Sequence, residues 1–213
     1  MIKYKIETID NFLNKEDFEN LIQILKNLKD KDNFSVFHNA IDKNNKILES
    51  SIDPDFLKKL NENYFLKGKN ILKNHCPEKI DLIDYSDFTI IKTKKNSNFP
   101  IHDDTPNKLL SGVVYLYPEN NLGTFFFNDK KGSDKTVVNW KQNRAVFFSR
   151  VEKETWHSYR ADSENDRYAF VFNLMTYDKN LKEVYRIERK NYLFGKFRYK
   201  INPHLFKYFK FTI

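Results

Sequence analysis

The 213-residue chain reads as a mainly β protein with flanking helices, a double-stranded β-helix (jelly roll) with N-terminal helices packed on one sheet. Three observations predict this. After Lys79 the chain breaks into eight short runs of β-forming residues separated by polar turns, as a jelly roll requires. Before Lys79 the apolar residues recur at helical spacing. The last of the eight runs alternates strictly, with Arg167, Ala169, Val171 and Asn173 on one face and Tyr168, Phe170, Phe172 and Leu174 on the other. A sheet face paved with aromatic rings needs a cover, and the helices can supply it.

In chain order, a first helix begins near Asn14 with Asp10 as its cap, and Phe18, Leu21, Ile22, Leu25 and Leu28 form its apolar stripe. Residues 30–51 are polar and irregular, with short strands at 34–38 and 45–49. A second helix runs from Pro54 to about Asn74 and presents Phe56, Leu57, Leu60, Phe65, Ile71 and Leu72. The eight strands follow at 86–94, 99–102, 110–117, 123–127, 136–139, 145–149, 155–159 and 167–176. Asn and Asp make most of the turns, and Gly123 and Gly132 are placed at special backbone angles. Near the end, Asn202 and Pro203 read as the cap and first position of a short helix with Leu205, Phe206 and Phe209 on one side and Lys207 and Lys210 elsewhere. With no Pro-, Gly- or Ser-rich linker, residues 1–213 are expected to form one domain: a helical cover (1–78), a jelly-roll core (79–177) and a basic, aromatic extension (178–213).

Cys76 is the single cysteine, which excludes an intrachain disulfide and points to a reducing compartment. The opening MIKYKIETIDNF has no secretory apolar stretch, and no run approaches the roughly 20 apolar residues of a membrane span, so a cytoplasmic protein is expected. The net charge of +8 is concentrated: residues 178–213 hold ten Lys or Arg against three Asp or Glu, a local +7, and the remainder is close to neutral. The tail beyond Asn191 is read as an interaction element, for a dimer contact or an anionic partner, with docking on its own domain as the alternative.

The chemistry is carried by four residues. His102 and Asp104 stand in FPIHDDTPNK, His157 lies fifty-five residues after His102, and Arg167 follows ten residues later. Two imidazoles and one carboxylate can hold a ferrous ion on one face and leave the opposite positions open. Residues i and i+2 of an extended segment share a side, so His102 and Asp104 can converge while Asp103 points away. By the same alternation Trp156 faces away from the ligands and reads as core. Taken alone, each histidine reads as an ordinary structural residue. Their order with Arg167 is what gives them weight.

That order, with a Tyr-Leu strand, a Gly-Thr strand and an Asn-Arg turn between the histidines, resembles the Fe(II)- and 2-oxoglutarate-dependent dioxygenases of the prolyl-4-hydroxylase-like branch, over roughly 87–177. The resemblance implies His102, Asp104 and His157 as iron ligands, and Arg167 and Tyr115 as partners of the distal carboxylate of 2-oxoglutarate. A planar guanidinium suits a carboxylate through two parallel hydrogen bonds. The chain departs from the family at Ala169, where Ser or Thr is frequent, and Arg160 is a competitor for the role of Arg167. Fe(II), 2-oxoglutarate and O2 are the implied cofactors, with ascorbate as an optional reductant, and hydroxylation is the implied outcome because Asp104 keeps the carboxylate that halogenases of the family lose.

The substrate is not implied by the fold. Thr105, Asn107 and Lys108 flank the metal motif as candidate substrate-side residues, and a prolyl or other protein side chain is the leading reading. Two alternatives from other classes stand beside it. One is a nucleic-acid-binding module using the basic aromatic tail, in which Lys and Arg meet phosphates and rings stack on bases. The other is a cupin-like metal enzyme that shares the barrel and histidines but has no use for Arg167 or Tyr115.

Overall fold

The computed structural model describes residues 4–28 and 33–209. Among these, β1 (Glu7–Ile9) and α1 (Lys15–Asn27) lead into three short strands, β2 (Phe34–Phe37), β3 (Ala40–Asp42) and β4 (Ile47–Glu49), and the long α2 (Pro54–His75). A 3-10 turn at Pro77–Leu82 introduces the eight expected core strands, each within two residues of its predicted ends: β5 (Tyr85–Thr93), β6 (Asn98–His102), β7 (Lys108–Tyr117), β8 (Thr124–Phe127), β9 (Thr136–Val138), β10 (Ala145–Phe148), β11 (Trp156–Arg160) and β12 (Arg167–Met175). Two helices close the chain, α3 (Leu181–Ile187) and α4 (Tyr192–Phe209).

The strands form two antiparallel sheets, the larger in the order β1-β10-β7-β12-β5-β3-β4 with β2 also paired to β5, the smaller in the order β6-β11-β8-β9. This is the jelly roll expected of the sequence, with β12 central in the large sheet between β7 and β5. Its alternation holds. Phe170, Phe172 and Leu174 face outward with Phe88 and Ile90 into the main core, which they share with Leu21 and Leu25 of α1 and Leu57, Leu60, Ile71 and Leu72 of α2. Phe88 stacks on Phe172 with centroids 4.9 Å apart. Each buried ring contributes about 1.5–3 kcal/mol, so this face alone fixes which side of the sheet the helices cover. Trp156, expected as core, is buried with Phe125 and Phe127 on the far side of the small sheet.

Several local expectations are corrected. Asp10 does not cap α1: the cap is Asn14, whose side chain accepts from the Asp17 N–H. Asp10 instead receives Arg144 Nε at 2.6 Å and Lys141 Nζ at 2.8 Å, and this pairing, Arg144 first, holds its carboxyl well below the usual range. Gly132 has the left-handed φ of 92°, but Gly123 serves close approach: a Cβ there would stand 1.8 Å from the Val138 carbonyl oxygen.

The tail differs most. Pro203 lies inside α4, which starts eleven residues earlier at Tyr192, with Asn191 Oδ1 accepting from the Phe194 N–H at 3.0 Å. The tail docks on the barrel through Arg198, which is buried and bonded to Glu152. The side chains of Phe206 and Phe209, and all of Lys210, lie outside the described residues. Among the described residues, no helix is long and apolar enough to cross a membrane.

Candidate metal centre and its two cavities

β6 and β11 pair so that His102 and His157 are direct partners across the small sheet. Their ring centroids are 4.2 Å apart. His102 Nδ1 lies 3.0 Å from the Pro100 carbonyl oxygen and His157 Nδ1 lies 2.9 Å from that of Thr155. A carbonyl only accepts, so each Nδ1 carries a hydrogen, which leaves Nε2 as the ring atom that can offer a lone pair to a metal. Burial, and after it the neighbouring His157, pulls the His102 pKa down to about 3, so that ring is neutral at ordinary pH.

Asp104 follows β6 and completes the cluster: one donor atom from each of His102, Asp104 and His157 lies within 4.8 Å of the others. Burial alone would raise the Asp104 carboxyl, but the charge and hydrogen bond of Lys108, with the two imidazoles beside it, outweigh burial and hold the group far below the carboxylate range. Lys108 Nζ donates to Oδ1 at 2.7 Å and Ser111 Oγ to Oδ2 at 2.5 Å. The set is therefore two lone pairs and one anion, already oriented by neighbours, which is the donor chemistry of a ferrous site with open positions.

Two cavities meet at this cluster, and His102, Asp104 and Phe99 belong to both. The first, about 200 Å³, runs between the sheets and is also lined by His157, Ser111, Thr124, Tyr159, Arg167 and Asn173. At roughly 30 Å³ of liquid volume per water, it has room for a small organic ligand. Arg167 enters it from the first position of β12. Its guanidinium is 1% exposed, stands 4.7 Å from the Tyr159 ring, 5.2 Å from Trp140 and 5.6 Å from Tyr115, and has two nitrogens, Nε and Nη2, with no hydrogen-bond partner. Burial lowers its pKa, with the Tyr115 and Tyr159 phenols acting in the opposite sense. A buried cation left this way costs several kcal/mol, and an incoming anion removes the cost.

The second cavity, about 170 Å³, lies between the cluster and the C-terminal helices, with walls from Thr105, Pro106, Tyr185, Gly195, Tyr199 and Pro203. Beside it sits a buried ionic hub. Arg150 Nη1 donates to Glu188 at 2.7 Å, its Nη2 pairs with Glu152, and its Nε donates to the Asp104 carbonyl at 3.0 Å. Lys79 holds Glu188 at 2.8 Å, and Arg198 bonds Glu152 and approaches Asp103 at 3.6 Å. Asp103 thus does point away from the metal cluster, as strand alternation predicts.

The other named residues divide. Arg160 is solvent-exposed and does not line the Arg167 cavity. The Tyr115 hydroxyl, expected on the cosubstrate, donates to Thr124 Oγ1 at 2.9 Å and accepts from the Thr124 N–H at 3.0 Å, and the residue does not line the cavity wall. Of the substrate-side candidates, Thr105 lines the second cavity, Lys108 is bonded to Asp104, and Asn107 lines neither cavity. Sequence reasoning missed Tyr159 and Ser111. The i, i+2 relation between His157 and Tyr159 on β11 is a signal that could have found the first.

No protein-family model and no curated protein matches the chain. Solved structures do. An oxidoreductase of the 2OG-Fe(II) oxygenase family from Burkholderia pseudomallei superposes with TM-score 0.57 at 13% identity, covering 81% of this chain and 85% of that one. A prolyl-4-hydroxylase from Pseudomonas putida gives 0.53 at 12% identity over 82% and 94%. A prolyl hydroxylase from Trichoplax adhaerens, in complex with a peptide fragment of the hypoxia inducible factor oxygen degradation domain, gives 0.56 at 14% identity over 85% and 87%. At these identities the likeness is one of fold, and the chain has the jelly roll of these oxygenases.

Proposed function

We propose that the protein is an Fe(II)- and 2-oxoglutarate-dependent dioxygenase acting as a hydroxylase. The observation that carries this reading is the buried guanidinium of Arg167, with two unpartnered nitrogens, in the same cavity as a His-Asp-His cluster. In this reading His102, Asp104 and His157 hold the ion through two Nε2 atoms and one carboxylate oxygen. Arg167 receives the distal carboxylate of the dicarboxylate cosubstrate. Bound iron and cosubstrate would supply the oxidising power, coupling decarboxylation of 2-oxoglutarate to succinate and CO2 with hydroxylation by O2.

The chain's own residues do the rest. Lys108 and Ser111 fix the Asp104 carboxylate, and the backbone carbonyls of Pro100 and Thr155 fix the imidazoles. Phe148 and Phe126 pack against the His157 ring with centroids at 5.0 and 6.1 Å, keeping water from that side. The Tyr159, Trp140 and Tyr115 rings offer the Arg167 cation π faces, which leaves its N–H groups for a carboxylate. The fold likeness supports the reading, as does the peptide held by the Trichoplax neighbour for a substrate that is a protein side chain. A cytoplasmic setting is supported by the single cysteine. The cupin-like alternative leaves the buried charge of Arg167 without work, and the nucleic-acid alternative does not use the inward-facing Arg198 of the tail.

The test is anaerobic titration with Fe(II) and 2-oxoglutarate, followed at the metal-to-cosubstrate charge-transfer band, with succinate formation measured on adding O2. Wild type is expected to give both, and His102→Ala, Asp104→Ala and His157→Ala neither. Two of the three variants retaining full iron occupancy and turnover would overturn the reading.

A further inference from the structure

The second cavity shares His102 and Asp104 with the first but receives none of its walls from β12. Beyond Phe99, which is also shared, and a set of paired ionic residues, its far side is formed by Tyr185, Gly195, Tyr199, Asn202 and Pro203, so α3 and α4 close it. α4 is fixed there by Arg198, which is buried and bonded to Glu152. The tail is in this way a wall of the site.

The charges along this cavity cancel. Arg150 and Arg198 face Asp103 and Glu152, and each carboxylate has a guanidinium within 4.0 Å. A charged ligand would have to leave water for a place whose charges are already matched. The other walls are mainly rings and proline carbons, with the polar side chains of Thr105, Tyr199 and Asn202 among them. Of the described residues that line the cavity, Tyr185 alone holds a buried side-chain atom without a hydrogen-bond partner. Tyr185 is 1% exposed, and that atom is its hydroxyl oxygen. Burial pushes this phenol up to about 12, so it remains a donor in want of an acceptor.

We infer that this cavity is the primary-substrate site and that it takes a neutral, mostly hydrocarbon group carrying one hydrogen-bond acceptor for Tyr185, borne by a small molecule or by a polypeptide side chain. The role as substrate site rests on the oxygenase reading, and the selectivity rests on the cavity alone. α4 then sets the size of what reaches the metal cluster, and Tyr185 sets its orientation.

The test uses the N-acetyl amides of leucine, proline, glutamate and lysine as probes, which share one backbone and differ in charge. Saturation-transfer NMR on the metal-free protein needs neither iron nor cosubstrate. The leucine and proline amides are expected to bind on the order of tenfold or more tightly than the charged pair. Asn202→Trp fills the cavity and is expected to abolish binding, with Pro203→Phe as a second filling variant should the first fail to fold. Tyr185→Phe should weaken binding several-fold. Leu193→Ser, on the exposed face of α4, should leave it unchanged. With Mn(II) added, the bound probe's proton signals should broaden.

A pentapeptide with leucine at its centre separates the two sources: binding equal to or tighter than the single amide assigns a polypeptide, and loss of binding assigns a small molecule. Charged amides binding as well as neutral ones, filling variants that still bind, or probes unaffected by Mn(II) would each overturn the inference. Amide binding without any 2-oxoglutarate binding would overturn the oxygenase reading while leaving the cavity's selectivity standing.

Discussion

Arg167 and Arg150 are both 1% exposed, yet one has two nitrogens without a partner and the other is bonded to two glutamates and a carbonyl oxygen. The same side chain at the same burial thus plays two parts. A buried guanidinium whose charge is met within the chain is a fastening, here tying the loop after β10 to the residue following α3 and to the carbonyl of Asp104. One whose charge is not met is a socket. The difference is written in the partners, and neither burial nor residue type alone reveals it.

The largest expected effect tests the fastening. Arg150→Met leaves Glu152 and Glu188 short of a cation in a buried place, and breaking such a pair typically costs about 3–5 kcal/mol. For a chain of this size the melting temperature should fall by roughly 10 °C. Thermal and urea unfolding check it, and an unchanged midpoint would erase the distinction between the two arginines. The socket should respond the other way. Arg167→Met removes an unmatched charge, so stability should hold or rise, while 2-oxoglutarate binding should weaken by about 2–5 kcal/mol, some thirtyfold to a few thousandfold. Calorimetric titration of 2-oxoglutarate into the Mn(II)-loaded variant reads this, and equal affinity would mean that another group holds the carboxylate.

The sequence made the socket legible and hid the fastening, for one physical reason. Strand alternation is a local rule, so the spacing of His102 and Asp104 and the face shared by Arg167, Ala169, Val171 and Asn173 could be read without knowing any partner. The outward face of Phe170 and Phe172 and its helical cover were legible in the same way. The hub joins Lys79, Asp103, Arg150, Glu152, Glu188 and Arg198 across more than a hundred residues, and no periodicity links them. Local rules also misfire when a long-range partner competes: Asp10 looks like a cap until Arg144 takes it. Asn202-Pro203 looks like a helix start, but α4 begins at Tyr192 and runs on through the proline, while Arg198 ties its earlier part to Glu152.

A smaller effect concerns pH on the socket side. The folded His102 pKa of about 3 lies below the roughly 6.5 of an unfolded histidine. Between these values the unfolded chain binds the extra proton, so stability is full above about pH 6.5 and is lost as pH falls toward 3. The slope approaches about 1.4 kcal/mol per pH unit at most for one proton. Urea midpoints of the metal-free protein from pH 7 to 4.5 should show it, and His102→Gln should flatten the profile. A profile unchanged by His102→Gln would assign the acid sensitivity to other groups.

The smallest effect decides to which side Tyr115 belongs. Its ring flanks Arg167 at 5.6 Å, which by position makes it a candidate for the socket, but its hydroxyl is bonded to Thr124, which makes it a fastening between β7 and β8. Tyr115→Phe keeps the ring and removes only the hydroxyl. If the bonds to Thr124 are its whole role, stability should drop by about 0.5–1.5 kcal/mol, the usual worth of a neutral hydrogen bond, and 2-oxoglutarate affinity should stay within about twofold. If the hydroxyl turns to the carboxylate when cosubstrate binds, the losses exchange: the metal-free protein melts nearly as before and the affinity falls by a comparable free energy. Measuring both quantities on one variant separates the outcomes, because a hydroxyl cannot donate its single hydrogen to Thr124 and to a carboxylate at once.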